Sequence, residues 1–132
     1  MNPRFLELLE VLELHESRIS LYGGATGLRD IGLLQSALAQ PKATYEGEFL
    51  HKDIFEMAAA YLFHISRTQA FVDGNKRTAL SCCLIFLDYN GYELDAPKQE
   101  LENIALATAV GSVEKSDVAS FLRKYCVEIL DN

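Results

Sequence analysis

Apolar residues recur at helical spacing along most of the chain. The first stripe, at intervals of three and four residues, consists of Phe5, Leu8, Leu9 and Leu12. Asn2 precedes Pro3, and proline suits the first position of a helix because its missing N–H has no partner there in any case. This pattern predicts a first helix that begins at the Asn2-Pro3 pair.

Five further helices are predicted along the chain. They cover residues 28–40, a segment from Asp53 to beyond Ile65, residues 75–89, residues 98–110 and residues 117–130. Asp53 with Glu56 resembles a capping box, Ser116 is a candidate cap, and Pro41 stops the second helix. Asn90-Gly91 suits the end of the helix over 75–89 because both residues tolerate left-handed backbone.

Alternation with period two is too short anywhere to predict a large sheet. The segment Thr44 to His51 mixes aromatic and charged residues and is expected to form a short hairpin at most. We therefore predict a single all-α domain over residues 1–132. About six helices are expected to surround one buried central helix.

The composition and the net charge argue against a nucleic-acid-binding protein and against a membrane protein. A formal net charge of -7 argues against a nucleic-acid binder, since phosphate-backbone affinity depends on clustered Lys and Arg. No apolar run approaches the roughly 18 residues that a membrane span requires, so a cytoplasmic protein without membrane contact is expected. Cys82, Cys83 and Cys126 are expected to be reduced thiols, with the adjacent pair packed in the core.

The segment "TQAFVDGNKRT" carries the candidate chemistry. Lys76 and Arg77 lie in the predicted first turn of a helix, where the macrodipole disfavours positive charge by a few tenths of a kcal/mol unless an anion is present. Gly74 permits a close approach of backbone to a phosphate, and Asn75 supplies an amide donor. Asp73 is a suitable ligand for Mg²⁺. The pattern is typical of a phosphate-metal site, but a simple turn with solvated cations would have the same sequence.

The stretch "AFVDGNKRTAL" resembles the signature loop of the Fic/Doc family, specifically its Doc (death-on-curing) branch. The family pattern is His-x-Phe-x-Asp/Glu-Gly/Ala-Asn-x-Arg. This chain matches it at Phe71, Asp73, Gly74, Asn75 and Arg77. The stretches "LYGGATGLRDIGLLQSALAQP" and "AAAYLFHI" are similar to the blocks that precede this loop in Doc-like proteins.

The resemblance implies a Fic fold and transfer of part of a nucleotide to a protein hydroxyl. Phe71 would anchor the loop, Asp73 would hold Mg²⁺, and the residues from Gly74 to Arg77 would bind the phosphates of ATP. AMP-transferring members usually carry glycine at the position of Lys76 and a second arginine at that of Leu80. Both departures match the Doc branch.

Members of the Doc branch resemble kinases that move the terminal phosphate of ATP to elongation factor Tu and block translation. By this resemblance the chain would be a toxin, and a small antitoxin with a tail that folds on binding would be its partner. Residues 44–51 would be the flap that aligns a target peptide by strand addition.

Gln69 stands where the family has its general-base histidine. An amide does not accept a proton near neutral pH, so catalysis as written is expected to be weak or absent. Gln69 has three explanations: an inactivating substitution made so that a toxic protein could be expressed, a natural pseudoenzyme that binds nucleotide or partner, or altered chemistry. The toxicity of the family slightly favours the first. His64 is about 140° around a continuing helix from Gln69, which argues against a substitute base. His15 and His51 are interpreted as surface or packing residues, with His51 nearer to substrate.

Overall fold

The computed structural model describes residues 1–130, which form six helices and four short strands. The helices are α1 (Leu8–Tyr22), α2 (Ile31–Ala39), α3 (Ile54–Thr68), α4 (Asn75–Tyr89), α5 (Lys98–Ala109) and α6 (Lys115–Tyr125). The strands are β1 (Thr44–Tyr45), β2 (Glu48–Phe49), β3 (Tyr92–Leu94) and β4 (Cys126–Glu128). The all-α class is confirmed; the last two residues of the predicted domain lie outside the described residues.

Helix α3 is the central helix. It contacts α2, α4, α5 and α6, and every residue from Met57 to Leu62 is buried. A helix that is buried on several sides needs apolar residues around most of its circumference. Three consecutive alanines (residues 58–60) provide this while they keep the neighbouring backbones close.

The chain before α1 is not helical, so the predicted start at Asn2-Pro3 is wrong. Glu7 caps α1 through a capping box with Glu10. The backbone of the preceding residues bonds to side chains of other elements: the N–H of Leu6 donates to the Tyr61 hydroxyl at 3.0 Å, and Asn90 exchanges two hydrogen bonds with the backbone of Arg4. These tertiary bonds satisfy the groups that a helical turn would have used.

Helix α2 begins three residues later than predicted because the chain before it pairs with the candidate loop. Leu28 forms an isolated antiparallel bridge with Phe71. The N–H groups of Arg29 and Asp30 both donate to the carbonyl of Ala70. Asp30 then caps α2 by accepting from the N–H of Leu33.

The end of the chain differs most from the prediction. Helix α6 is capped by Glu114 and not by Ser116, and it stops at Tyr125 instead of continuing to residue 130. The chain then forms β4, which pairs antiparallel with β3 in the register Tyr92↔Glu128. Cys126 and Ile129 continue the helical spacing of α6, but the pairing with β3 supplies backbone bonds that the local pattern cannot indicate.

The hairpin in the predicted flap segment is present. Strands β1 and β2 pair antiparallel through Thr44↔Phe49 and Tyr45↔Glu48. The two turn residues, Glu46 and Gly47, have φ of 52° and 80°, as a tight two-residue hairpin turn requires.

Candidate functional site

The loop between α3 and α4 occupies the point where two helix ends meet. Gln69 ends α3 in left-handed backbone (φ 57°, ψ 42°), and Gly74 begins α4 in the same region (φ 76°, ψ 17°). Because these two turns reverse the chain, the segment between them lies across the N-terminus of α4. The first-turn N–H groups of α4 are thereby available at the surface.

Asn75 holds this loop together. Its side-chain Oδ1 accepts from the N–H of Phe71 at 3.0 Å, and its Nδ2 donates to the carbonyl of Phe71 at 3.0 Å. Asn75 and Phe71 are 7% and 2% exposed. The side-chain amide predicted to bind phosphate is therefore engaged inside the loop. The side-chain N–H of Asn75 is thus used within the loop, and its backbone N–H at the start of α4 remains for a ligand.

Asp73 lies at the surface with both carboxylate oxygens oriented by backbone donors. The N–H of Gly74 donates to Oδ1 at 2.8 Å, and the N–H of Ala25 donates to Oδ2 at 3.1 Å. These two bonds lower the pKa of Asp73 below its usual value, so the group is ionised at neutral pH. A Cβ at Gly24 would lie 2.7 Å from Oδ2, so the glycine turn fits closely around the carboxylate.

The two cations of the loop line a cavity beside it. Lys76 and Arg77 are exposed, and within residues 1–130 the ion pairs found involve neither of them. Arg77 lies against the turn after α1, with its guanidinium 4.9 Å from the ring centre of Tyr22. Two positive charges beside the positive end of α4 make this corner attractive to an anion.

A cavity of about 870 Å³ opens beside the loop. The loop and the start of α4 form one wall, the turn after α1 forms another, and α5 closes the opposite side. Its lining residues include Tyr22, Gly24, Gln69, Asp73, Gly74, Lys76, Arg77 and Leu80, with Gln99, Glu102, Asn103 and Leu106 from α5. The predicted site residues are thus brought together, while the α5 wall carried no signal in the sequence.

Gln69 is tied to the protein at both its backbone and its side chain. Arg29 directs two guanidinium nitrogens at the Gln69 carbonyl, with Nε at 2.8 Å. The Gln69 side-chain Nε2 donates to the carbonyl of Ser66 at 3.0 Å, and its Oε1 accepts weakly from Asn75 Nδ2 at 3.4 Å. Arg29 was missed in the sequence, where it falls at the start of the helix predicted over residues 28–40.

Comparison with known sequences identifies the family. Residues 5–87 match the sequence model of the Fic/DOC family, which is more than half of the chain. The chain belongs to the Fic/Doc family. It is 38% identical over 116 residues to "Protein kinase doc" of Escherichia phage P1, an alignment that covers 87% of this chain and 90% of that relative.

The name of a second relative also contains the word Doc. The chain is 44% identical over 75 residues to "Toxin Doc" of Mycolicibacterium smegmatis. That alignment covers 57% of this chain and 58% of the relative. The resemblance to the Doc branch is therefore confirmed, and the chain is a Doc-like member of the Fic/Doc family.

Two histidines of this Fic/Doc protein, His51 and His64, are not placed to act as a general base at the loop. Nε2 of His64 is 3.1 Å from Lys115 Nζ. Burial, then the charge of Lys115, lowers the pKa of His64 to about 4. His51 bonds the carbonyl of Gln40, 3.1 Å away, and lines a separate pocket with Lys115. Neither residue lines the cavity at the loop, which agrees with the packing roles expected for them.

Sequence reasoning did not place His15 at the loop. It lies in α1, is 5% exposed, and its Nε2 is 2.7 Å from the carbonyl oxygen of Asp73. Its ring stacks on Phe71 with centroids 3.8 Å apart. A lone histidine in an amphipathic helix gives no indication that a loop 58 residues later packs on it.

The Fic/Doc loop fits a metal ion only together with a nucleotide. Within residues 1–130 no group of three or more His, Cys, Asp or Glu side chains could hold a metal. Asp73 is ionised and exposed, and Mg²⁺ is commonly held by one or two carboxylates together with substrate phosphates.

Among the described residues, no helix is both long and apolar enough to span a membrane.

Proposed function

We propose that this Doc-like protein is the toxin of a toxin–antitoxin pair and has a site for transferring the terminal phosphate of ATP to a protein hydroxyl. The observation that carries the proposal is the arrangement of an ionised Asp73 and the exposed cations Lys76 and Arg77 around one cavity. The printed name "Protein kinase doc" of a relative that aligns over most of the chain supports phosphate transfer.

Each residue has a role in this proposal. Asp73 would hold Mg²⁺, which would offset part of the phosphate charge. Arg77 and Lys76 bind phosphate oxygens as charged donors, and the first-turn N–H groups of α4 add backbone donors. Phe71 fixes the loop in the core, where it is 2% exposed. AMP transfer is disfavoured because Lys76 and Leu80 replace the residues that AMP-transferring members usually carry.

Gln69 is proposed to leave this activity weak or absent. A general base typically contributes a factor of about 10² to 10⁴ to the rate, and an amide supplies none of it. The hydrogen bond from Gln69 to the Ser66 carbonyl also directs the amide back to α3. This geometry favours one second candidate: a protein that binds nucleotide or partner at the same loop without transfer.

The target and the partner are proposed from the resemblance to the Doc branch. Elongation factor Tu is the expected target, with the β1–β2 hairpin as the flap that adds a strand to the target peptide. An antitoxin tail would fold on an apolar surface. A groove between α5 and α6, about 370 Å³ in volume and lined by Ile104, Ala107 and Phe121 among others, is a surface of the required kind.

The test compares the chain with Gln69→His. Both proteins should bind ATP with Mg²⁺, because the phosphate corner does not involve the substituted side chain. Gln69→His alone should transfer label from γ-labelled ATP to elongation factor Tu, arrest bacterial growth, and lose activity below about pH 6 as the imidazole takes up a proton. Transfer from α-labelled ATP would indicate AMP transfer instead.

Two results would overturn the proposal in different ways. A Gln69→His protein that binds ATP but labels no protein would favour the non-catalytic binder. Failure of both proteins to bind ATP with Mg²⁺ would remove the nucleotide site itself. Gln69→Asn serves as the control, since it changes the side chain without supplying a base.

A further inference from the structure

His15 contacts the backbone of the loop but does not line the cavity. Its Nε2 is 2.7 Å from the Asp73 carbonyl oxygen, and the residue is 5% exposed. A carbonyl oxygen only accepts, so Nε2 carries the proton and donates. Because His15 does not line the cavity at the loop, it is not a substitute for the base missing at Gln69.

The ring of His15 is fixed in two directions. It stacks on Phe71 with an interplanar angle of 8° and centroids 3.8 Å apart. Phe71 is itself held by the two bonds to the Asn75 side chain. The donor of His15 therefore has a defined position relative to the loop backbone.

The bond to the Asp73 carbonyl determines where the next N–H points. No cis peptide occurs among residues 1–130, and in a trans peptide the C=O and the following N–H point to opposite sides. A carbonyl held toward His15 therefore directs the Gly74 N–H away from the His15 ring. This N–H donates to Asp73 Oδ1 at 2.8 Å.

Helix α1 packs closely against this peptide. A Cβ on Gly74 would lie 3.6 Å from His15 Nε2 and 3.1 Å from Ile19 Cδ1, so α1 reaches the backbone of the loop directly. Loss of the His15 donor would remove the partner of a part-buried carbonyl, and rotation of the peptide to find another would break the bond to Oδ1.

We infer that His15 is a positioning residue: by holding the Asp73–Gly74 peptide, it orients the Asp73 carboxylate toward a nucleotide-bound Mg²⁺. The inference rests on the proposed nucleotide site for its ligand, but the orientation of the peptide belongs to the free protein. Partners that orient a metal ligand typically change metal affinity or activity by about 10- to 100-fold when removed.

The experiment uses two variants and a matched control. His15→Leu removes the donor and keeps an apolar side chain. His15→Gln keeps an N–H donor near the position of Nε2. His64→Leu removes a histidine that contacts Lys115 and lies away from the cavity. ATP affinity is measured for each with MgCl₂ and with EDTA, and Asp73→Asn marks complete loss of the metal dependence.

His15→Leu should lower ATP affinity in MgCl₂ by roughly 10-fold or more, with a much smaller change in EDTA. His15→Gln and His64→Leu should both retain the metal dependence. A folded His15→Leu protein with unchanged metal dependence would overturn the inference. So would a His15→Gln protein as impaired as His15→Leu, because the retained donor would then have no effect.

A measurement on the free protein separates this inference from the proposed function. Nitrogen-15 NMR of the unmutated chain should find His15 protonated at Nε2, and hydrogen exchange of the Gly74 amide should be faster in His15→Leu than in His64→Leu. Protonation at Nδ1 alone would overturn the inference even if no variant folds. Absence of ATP binding with these free-protein results intact would count against the nucleotide site and leave the positioning of the peptide standing.

Discussion

At the scale of single residues, the site depends on side chains that orient backbone. Asn75 closes the loop on Phe71, Arg29 holds the Gln69 carbonyl, and His15 holds the Asp73 carbonyl. Lys76 and Arg77 line the cavity and, within the described part of the chain, make no such short bonds. Arg77 makes one long bond to the Gly23 carbonyl at 3.4 Å, and in residues 1–130 the ion pairs found do not include it.

Because Arg77 lies at the cavity and does not orient backbone, Arg77→Ala should affect ligand binding more than stability. ATP affinity should fall by about tenfold or more, because a hydrogen bond to a charged group contributes roughly 1.5–3 kcal/mol. The free energy of unfolding should change by less than about 0.5 kcal/mol, since the side chain is exposed. Calorimetric titration and urea denaturation measure the two quantities.

Lys124→Ala is the control for charge, because it removes an exposed cation of α6 that does not line the cavity. If both variants lose ATP affinity equally, net charge accounts for the change and the assignment of Arg77 to the phosphate corner fails.

At the scale of elements, a side chain or capping box marks the start of α1, α2, α3 and α6. Asp53 begins α3 by accepting from the Glu56 N–H at 2.8 Å. Its other oxygen forms an ion pair with Arg123 of α6 at 2.8 Å. The start of α3 was predicted, whereas its link to α6 was not, because the two residues are 70 positions apart.

Asp53→Ala should destabilise the protein by about 1 kcal/mol, within the range of 0.5–2 kcal/mol for loss of an N-cap acceptor. Asp53→Asn keeps the cap and loses the ion pair, which is worth about 0–1 kcal/mol at a surface. In urea denaturation followed by circular dichroism, the free energy of unfolding of Asp53→Asn should therefore be closer to wild type than that of Asp53→Ala. Equal losses would assign the stabilisation to the ion pair with Arg123.

At the scale of the whole molecule, one core holds α3 and α4 together and buries both members of the adjacent cysteine pair. Cys82 and Cys83 are each 0% exposed, and all three cysteines are free thiols, as predicted. Burial raises the pKa of Cys82 to about 12 and raises that of Cys83 further. Cys126 is half-buried, and burial raises its pKa to about 11.

These thiols should report unfolding of the whole domain. At pH 8 a thiol-alkylating reagent should modify Cys126 first, and Cys82 with Cys83 only as fast as the protein opens, because the thiolate is the reactive form. Mass spectrometry of native and urea-treated protein measures the order. In Cys126→Ser, fast native labelling of either buried cysteine would contradict a single closed core.

The amino-acid sequence by itself determined the elements whose signals are local. The span of α4, the Asp53 start of α3, the hairpin over residues 44–49 and the loop residues 71–77 all follow from caps, periodicity and motif spacing. The helix count follows for the same reason. The Fic/Doc family was identified by resemblance of the signature loop, and the same resemblance predicts that Gln69 stands at the position of the family histidine.

Only the tertiary structure decided the features that depend on distant partners. Strand β4 replaced the end of the predicted last helix because β3 offers it backbone partners. The first residues are extended because Tyr61 and Asn90 bond their backbone. His15 joins the site because folding brings α1 beneath a loop 58 residues away, and a helical stripe records which side is buried but not what packs against it.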